Sequence, residues 1–243
     1  MPLRSTRSIP TAAPPEPAGV YPVGLLATVS LVMLVTASLA SLLGWELSPL
    51  TWYLARASGV TLYLLLWAAT MLGLGLSTRY LDSMMRRGDV FSLHAYLTAL
   101  ALSFLGVHVL TLAADQYTAF TLADLLIPFH SGMREPWTGL GVIAGWLLIA
   151  ISASFPLRKL TGYRFWRKAH WLTLPLMLIG FLHGIGSGTD SATTPVALLY
   201  GITGTLFVFL FLYRALRGRR NPVPLIPKTA PPLDRMTARI RGT

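Results

Sequence analysis

The sequence predicts an all-α membrane protein, a bundle of six transmembrane helices, and three observations carry that expectation. The first is composition: 53% of the 243 residues are hydrophobic and 12% charged, against roughly 25% charged in an ordinary soluble domain. The second is the gathering of apolar residues into six runs, each near the ~20 residues that cross a bilayer. The third is the placement of charge. The formal net charge of +11 sits between the apolar runs, a pattern of membrane topology that argues against nucleic-acid binding.

Residues 1–22 hold Arg4, Arg7, Pro10, Pro14, Pro15, Pro17 and Pro22 with no apolar periodicity, and read as a disordered cytoplasmic tail. The run Val23 to Leu43 is 21 residues long, beyond the ~7–15 of a signal-peptide core, and reads as an uncleaved first span. Further spans are expected at 57–76, 92–113, 137–155, 168–186 and 195–213, completing a six-helix unit over 23–216. Trp45, Trp52, Trp137, Trp166 and Trp171 fall near their ends, where amphipathic rings favour the lipid–water interface. Residues 217–243 form a basic tail with Pro222, Pro224, Pro227, Pro231 and Pro232, suited to lying against anionic lipid.

Charge sets the expected orientation. With the N-terminus inside, 18 of the 20 Lys and Arg residues fall on the inner side, leaving only Arg56 and Arg134 outside. Five of the nine acids, Glu46, Asp115, Asp124, Glu135 and Asp190, fall outside. The positive-inside rule then places both termini in the cytoplasm of a multi-pass cell-membrane protein.

The chain has no cysteine, which excludes thiolate metal sites, iron–sulfur clusters and covalently attached c-type haem. Histidine carries the remaining ligand chemistry. Four of the five histidines lie in two expected spans: His94 and His108 in the third, His170 and His183 in the fifth. Ionisable groups inside a membrane helix are costly and mark functional positions.

His94 and His108 are 14 residues apart, about 21 Å along a helix and close to four full turns, so both rings share a face. His170 and His183 are 13 apart and about 140° out of phase on an ideal helix. Pro175 between them is expected to kink or loosen the helix and restore the phase. The two spans run in the same direction, so His94 pairs with His170 at one depth and His108 with His183 at the other. Each pair offers two axial ligands to a haem b. A zinc site wants four clustered ligands, and each depth offers two. Histidines hydrogen-bonded across the bundle remain an alternative. His130, in the loop between the third and fourth spans, reads as a surface residue.

With these residues the sequence resembles the ferric reductase-like transmembrane domain family, the membrane half of the ferric reductase and NADPH oxidase superfamily, over about residues 50–216. The resemblance rests on Phe91-Ser92-Leu93-His94 through His108, on Tyr163-Arg164-Phe165-Trp166-Arg167-Lys168-Ala169-His170 through His183, and on Leu54-Ala55-Arg56-Ala57. It implies a six-helix bundle holding two haems between its third and fifth helices, with the four histidines on the haem iron. Arg56 would then stand near the outer haem, and an arginine there suits a haem propionate. Arg87, Arg164 and Arg167 are weaker candidates of the same kind at the inner face, and Met177 and Phe181 are candidates for the space between the haems. The chain departs from the family in two ways. It contains no G-x-G-x-x-G and no flavin or nicotinamide domain after the last span. Leu112 also stands where the oxidases carry a further histidine, which puts superoxide production in doubt.

The expected function is therefore transmembrane electron transfer through two b-type haems, as the membrane component of an oxidoreductase. A separate donor, a flavoprotein or a quinol, would supply electrons from the cytoplasmic side or the membrane. An external acceptor would receive them, with ferric iron a candidate because the loop from Ala114 to Pro136 is acidic. One rival is a haem membrane subunit feeding a periplasmic reductase such as methionine sulfoxide reductase. Another, of a different class, is a haem-free helical-bundle transporter or assembly protein.

Overall fold

The computed structural model describes residues 48–78 and 81–218, and these are helical with no strand among them. The helices are α1 (Ser48–Thr78), α2 (Arg87–Ala114), α3 (Leu122–Leu126), α4 (Trp137–Thr161), α5 (Tyr163–His170), α6 (Thr173–Ser187) and α7 (Thr194–Gly218). Five stretches are long and apolar enough to cross a membrane: Leu50–Thr78, Arg87–Ala114, Trp137–Thr161, Tyr163–Ser187 and Thr194–Leu216. The expected first span, Val23 to Leu43, lies outside the described residues, as do the expected N-terminal tail and the tail from residue 219 on.

The observed helices outrun the expected spans. The 29 residues of Leu50–Thr78 reach about 44 Å, well past a hydrocarbon core of about 30 Å. Apolar runs mark only the part immersed in lipid, whereas the backbone ladder continues into the interface. Within the spans, hydroxyl groups bond their own helix: Thr61 donates to the Ala57 carbonyl, Thr70 to Leu66, Thr98 to His94, Ser103 to Ala99 and Thr111 to Val107. This satisfies polar side chains where no water can. Large apolar side chains of α7, such as Leu198, Ile202 and Phe209, point outward, as they do on a helix facing lipid.

The broadest interface joins α1 to α2, and α4 packs on α6, while α1 also touches α6 and α7. Ala101, Leu148, Ile151 and Leu176 form one buried cluster, with Leu62 and Leu66 of α1 against it. Tyr63, Met177 and Tyr200 form a second, joined by Phe181. There the Tyr63 hydroxyl lies 2.6 Å from Thr203 Oγ1 and the Trp67 indole donates to the Thr203 carbonyl at 3.0 Å.

Between α5 and α6 the helix is interrupted at Trp171–Leu172, ahead of Pro175. Proline has no N–H to offer the Trp171 carbonyl, which instead accepts from Leu174 at 3.3 Å. Trp171 and Leu172 donate three residues back, to Lys168 and Ala169. Three-residue turns wind each residue by about 120° rather than about 100°. This overwinding recovers part of the phase shortfall between His170 and His183.

Candidate functional site

Two histidine pairs meet across the bundle. The His94 and His170 rings lie with centroids 6.1 Å apart and planes at 73°, and those of His108 and His183 lie 6.5 Å apart at 78°. Three of these rings are tied to the backbone of a neighbouring helix. His94 Nδ1–H donates to the Ala69 carbonyl at 2.8 Å, His108 Nδ1–H to Ala55 at 2.8 Å, and His183 Nδ1–H to Trp137 at 2.9 Å. A carbonyl oxygen only accepts, so Nδ1 carries the proton and Nε2 keeps the lone pair that binds metals.

The same backbone device recurs at each tied ring, with a glycine four residues after the accepting carbonyl. A Cβ on Gly59, four after Ala55, would stand 2.9 Å from His108 Cε1, and one on Gly141, four after Trp137, would overlap the His183 ring. Gly73, four after Ala69, faces His94 more loosely, at 3.5 Å. Ala55/Gly59 and Ala69/Gly73 are themselves 14 residues apart, the spacing of His108 and His94 on the antiparallel partner. One cradle is thus built twice along the α1–α2 interface.

Whether these residues fit a haem iron is a question of ring separation. Two imidazoles bound to one metal at about 2.0 Å place their centroids about 6.2 Å apart, each ring centre lying ~1.1 Å behind its nitrogen. A direct N–H···N hydrogen bond at about 2.9 Å would bring them to about 5.1 Å. The observed 6.1 and 6.5 Å match the first arrangement and exceed the second. No group of three or more His, Cys, Asp or Glu side chains gathers as a metal site among the described residues. Each pair on its own offers two nitrogen donors.

Between the pairs lies the aliphatic cluster. Ala101 stands seven residues from both His94 and His108 and is fully buried, packed with Leu148, Ile151 and Leu176. Met177 and Phe181 pack against Tyr63 and Tyr200.

Of the other candidates, Arg56, Arg87 and His130 have partners of their own. Arg56 is ion-paired with Asp190 and sits 5.1 Å from the Trp52 ring centre. Arg87 pairs with Asp82 at 3.0 Å and donates to the Leu76 carbonyl, closing the end of α1. Arg164 and Arg167 lie on the exposed surface of α5. His130 is exposed and bonds Asp124 at 2.8 Å. The Thr121 hydroxyl, the His130 ring and the Thr121 backbone N–H hold the Asp124 carboxyl down at about 2.

The segment from Ala114 to Pro136 is fastened at the His108/His183 end. Arg134 donates to the carbonyls of Gly186 and Ser187 at 3.3 and 3.2 Å, and the Trp146 indole donates to Leu126 at 2.9 Å. Asp115 accepts from Thr51 at 2.7 Å and from the Thr118 backbone and hydroxyl at 2.9 Å each. Asp115 and Asp124 are thus engaged by neighbouring groups, whereas both carboxylate oxygens of Glu135 are buried without a partner among the described residues.

Comparison of the chain with family models, curated proteins and solved structures returns no match. The functional reading therefore stands on the residues themselves.

Proposed function

We propose that this protein is a transmembrane electron carrier that holds two haems b, one between His94 and His170 and one between His108 and His183. The carrying observation is that both pairs are spaced for two imidazoles on one iron, at depths about 21 Å apart along α2. Bound there, the haems supply reversible one-electron chemistry at two depths of the bilayer. The chain's own residues do the rest. The Ala55, Ala69 and Trp137 carbonyls fix three rings and strengthen them as donors through Nδ1. Gly59, Gly73 and Gly141 leave room for the rings. Ala101, Leu148, Ile151 and Leu176 keep the intervening space apolar and dry.

The charge distribution supports both termini lying in the cytoplasm, with the His94/His170 pair nearer that side. A separate flavoprotein or quinol would be the donor, and the acceptor would be external. A haem-free bundle would account for the backbone hydrogen bonds of His94, His108 and His183, but it gives no reason for two ring pairs held too far apart for a direct bond.

Reconstitution in liposomes tests the function. With dithionite outside and ferricyanide trapped inside, the wild-type chain is expected to speed ferricyanide reduction, and His108→Ala and His183→Ala to abolish the gain. Transfer no faster than in protein-free liposomes would sink the proposal.

A further inference from the structure

His170 is the exception among the four rings. No hydrogen bond to either of its nitrogens is present among the described residues, and no glycine faces it. The register of α4 shows why. Fourteen residues after Trp137 and Gly141, which serve His183, stand Ile151 and Phe155. The Ile151 carbonyl accepts from Ser154 at 2.6 Å and has no bond from His170 among the described residues. Phe155 brings a ring where the other layer has a glycine, and that ring lies 6.0 Å from Trp166.

Trp166 takes up the remaining space. It precedes His170 by four residues on α5, one helical turn, so the two side chains share a face. Their rings are stacked, with centroids 5.4 Å apart and planes at 29°. Tyr163 closes on Trp166 from the previous turn at 5.2 Å. The indole is thus clamped by Phe155 and Tyr163 and presents its face to the imidazole.

We infer that Trp166 is the positioning residue for His170, holding by ring stacking a ligand that the backbone does not hold, and that the His94/His170 site is consequently the one whose coordination opens. The inference rests on the haem reading above. A ring whose Nδ1–H has no carbonyl acceptor is the weaker donor through Nε2. A stacked ring is oriented but not tethered, so with haem bound His170 would be the ligand to let go before His94, His108 and His183.

Carbon monoxide reports an opened site, because it binds ferrous haem only where an axial position is free. In the full-length purified protein reduced with dithionite, the wild type and Trp166→Phe are expected to stay unreactive to carbon monoxide. Trp166→Ala is expected to bind it at half of its haem. Trp166→Ala remaining unreactive with full haem content would overturn the inference. So would Trp166→Phe opening like Trp166→Ala, since the indole N–H and not the stacked face would then be the cause. A second measurement needs no variant: cyanide added to the ferric wild type is expected to displace a histidine from one haem ahead of the other. Both haems exchanging together would overturn the inference while leaving the proposed function intact. A wild-type chain free of haem would overturn both.

Discussion

At the scale of single residues, the site turns on atoms that are missing. Gly141 has no side chain, and a methyl group there would occupy the space of the His183 ring, with Nε2 only 2.9 Å away. Under the proposed function, Gly141→Ala is therefore expected to convert the haem proposed at His183 from low-spin to high-spin, or to lose it, while sparing the other; absorbance and EPR read both outcomes. Gly145, one turn further along α4, faces Leu105 at an ordinary 3.5 Å, so Gly145→Ala should leave both haems low-spin. Equal effects from the two substitutions would contradict the cradle. The four histidines were legible in the sequence because ionisable groups stand out in apolar runs. Gly59, Gly73, Gly141 and the accepting carbonyls were not, since a backbone oxygen has no letter of its own and glycine is common in membrane helices. One signal was present: Ala55-x-x-x-Gly59 and Ala69-x-x-x-Gly73 repeat at the spacing of His94 and His108.

At the scale of elements, the ends of the helices carry information that hydropathy does not. Asp115 closes α2 at its C-cap, and its carboxylate accepts from Thr51 of α1 and twice from Thr118. Burial raises its pKa, but the Thr51 and Thr118 hydrogen bonds outweigh that and leave it below the usual range. A carboxyl depressed on folding contributes stability at neutral pH, and that contribution is lost as pH falls through the folded value. Asp115→Ala is expected to lower stability at pH 7 by about 1–3 kcal/mol, read as a lower thermal midpoint in detergent. The deficit should narrow at acid pH, and an unchanged midpoint at neutral pH would contradict this role. The α5–α6 junction shows the limit of sequence reading at this scale. Pro175 announced a disturbance, but the interruption falls at Trp171–Leu172, because the group left without its usual donor is the carbonyl four residues before the proline. The functional consequence, His170 at the last residue of α5 beside Trp166, depended on a packing choice that periodicity does not encode.

At the scale of the whole molecule, composition and run length sufficed for an all-helical membrane protein, and five of the six expected spans appear among the described residues as helices long and apolar enough to cross a membrane. The histidines marked the two places where rings of α2 meet rings of α5 and α6, but the packing of α1 on α2 and of α4 on α6 was not legible, because helices that are apolar on all sides give little periodic signal of which face meets which neighbour. The bundle presents two imidazole pairs with an aliphatic cluster between them, an arrangement that under the proposed function would put redox groups at two depths with apolar packing between them. Occupancy of both pairs is the central claim, and haem content tests it most directly. The full chain purified from haem-replete cells, measured as a reduced-minus-oxidised spectrum with extracted haem quantified against protein, is predicted to give a low-spin b-type spectrum and two haems per chain. A colourless preparation, or a single haem per chain, would contradict it.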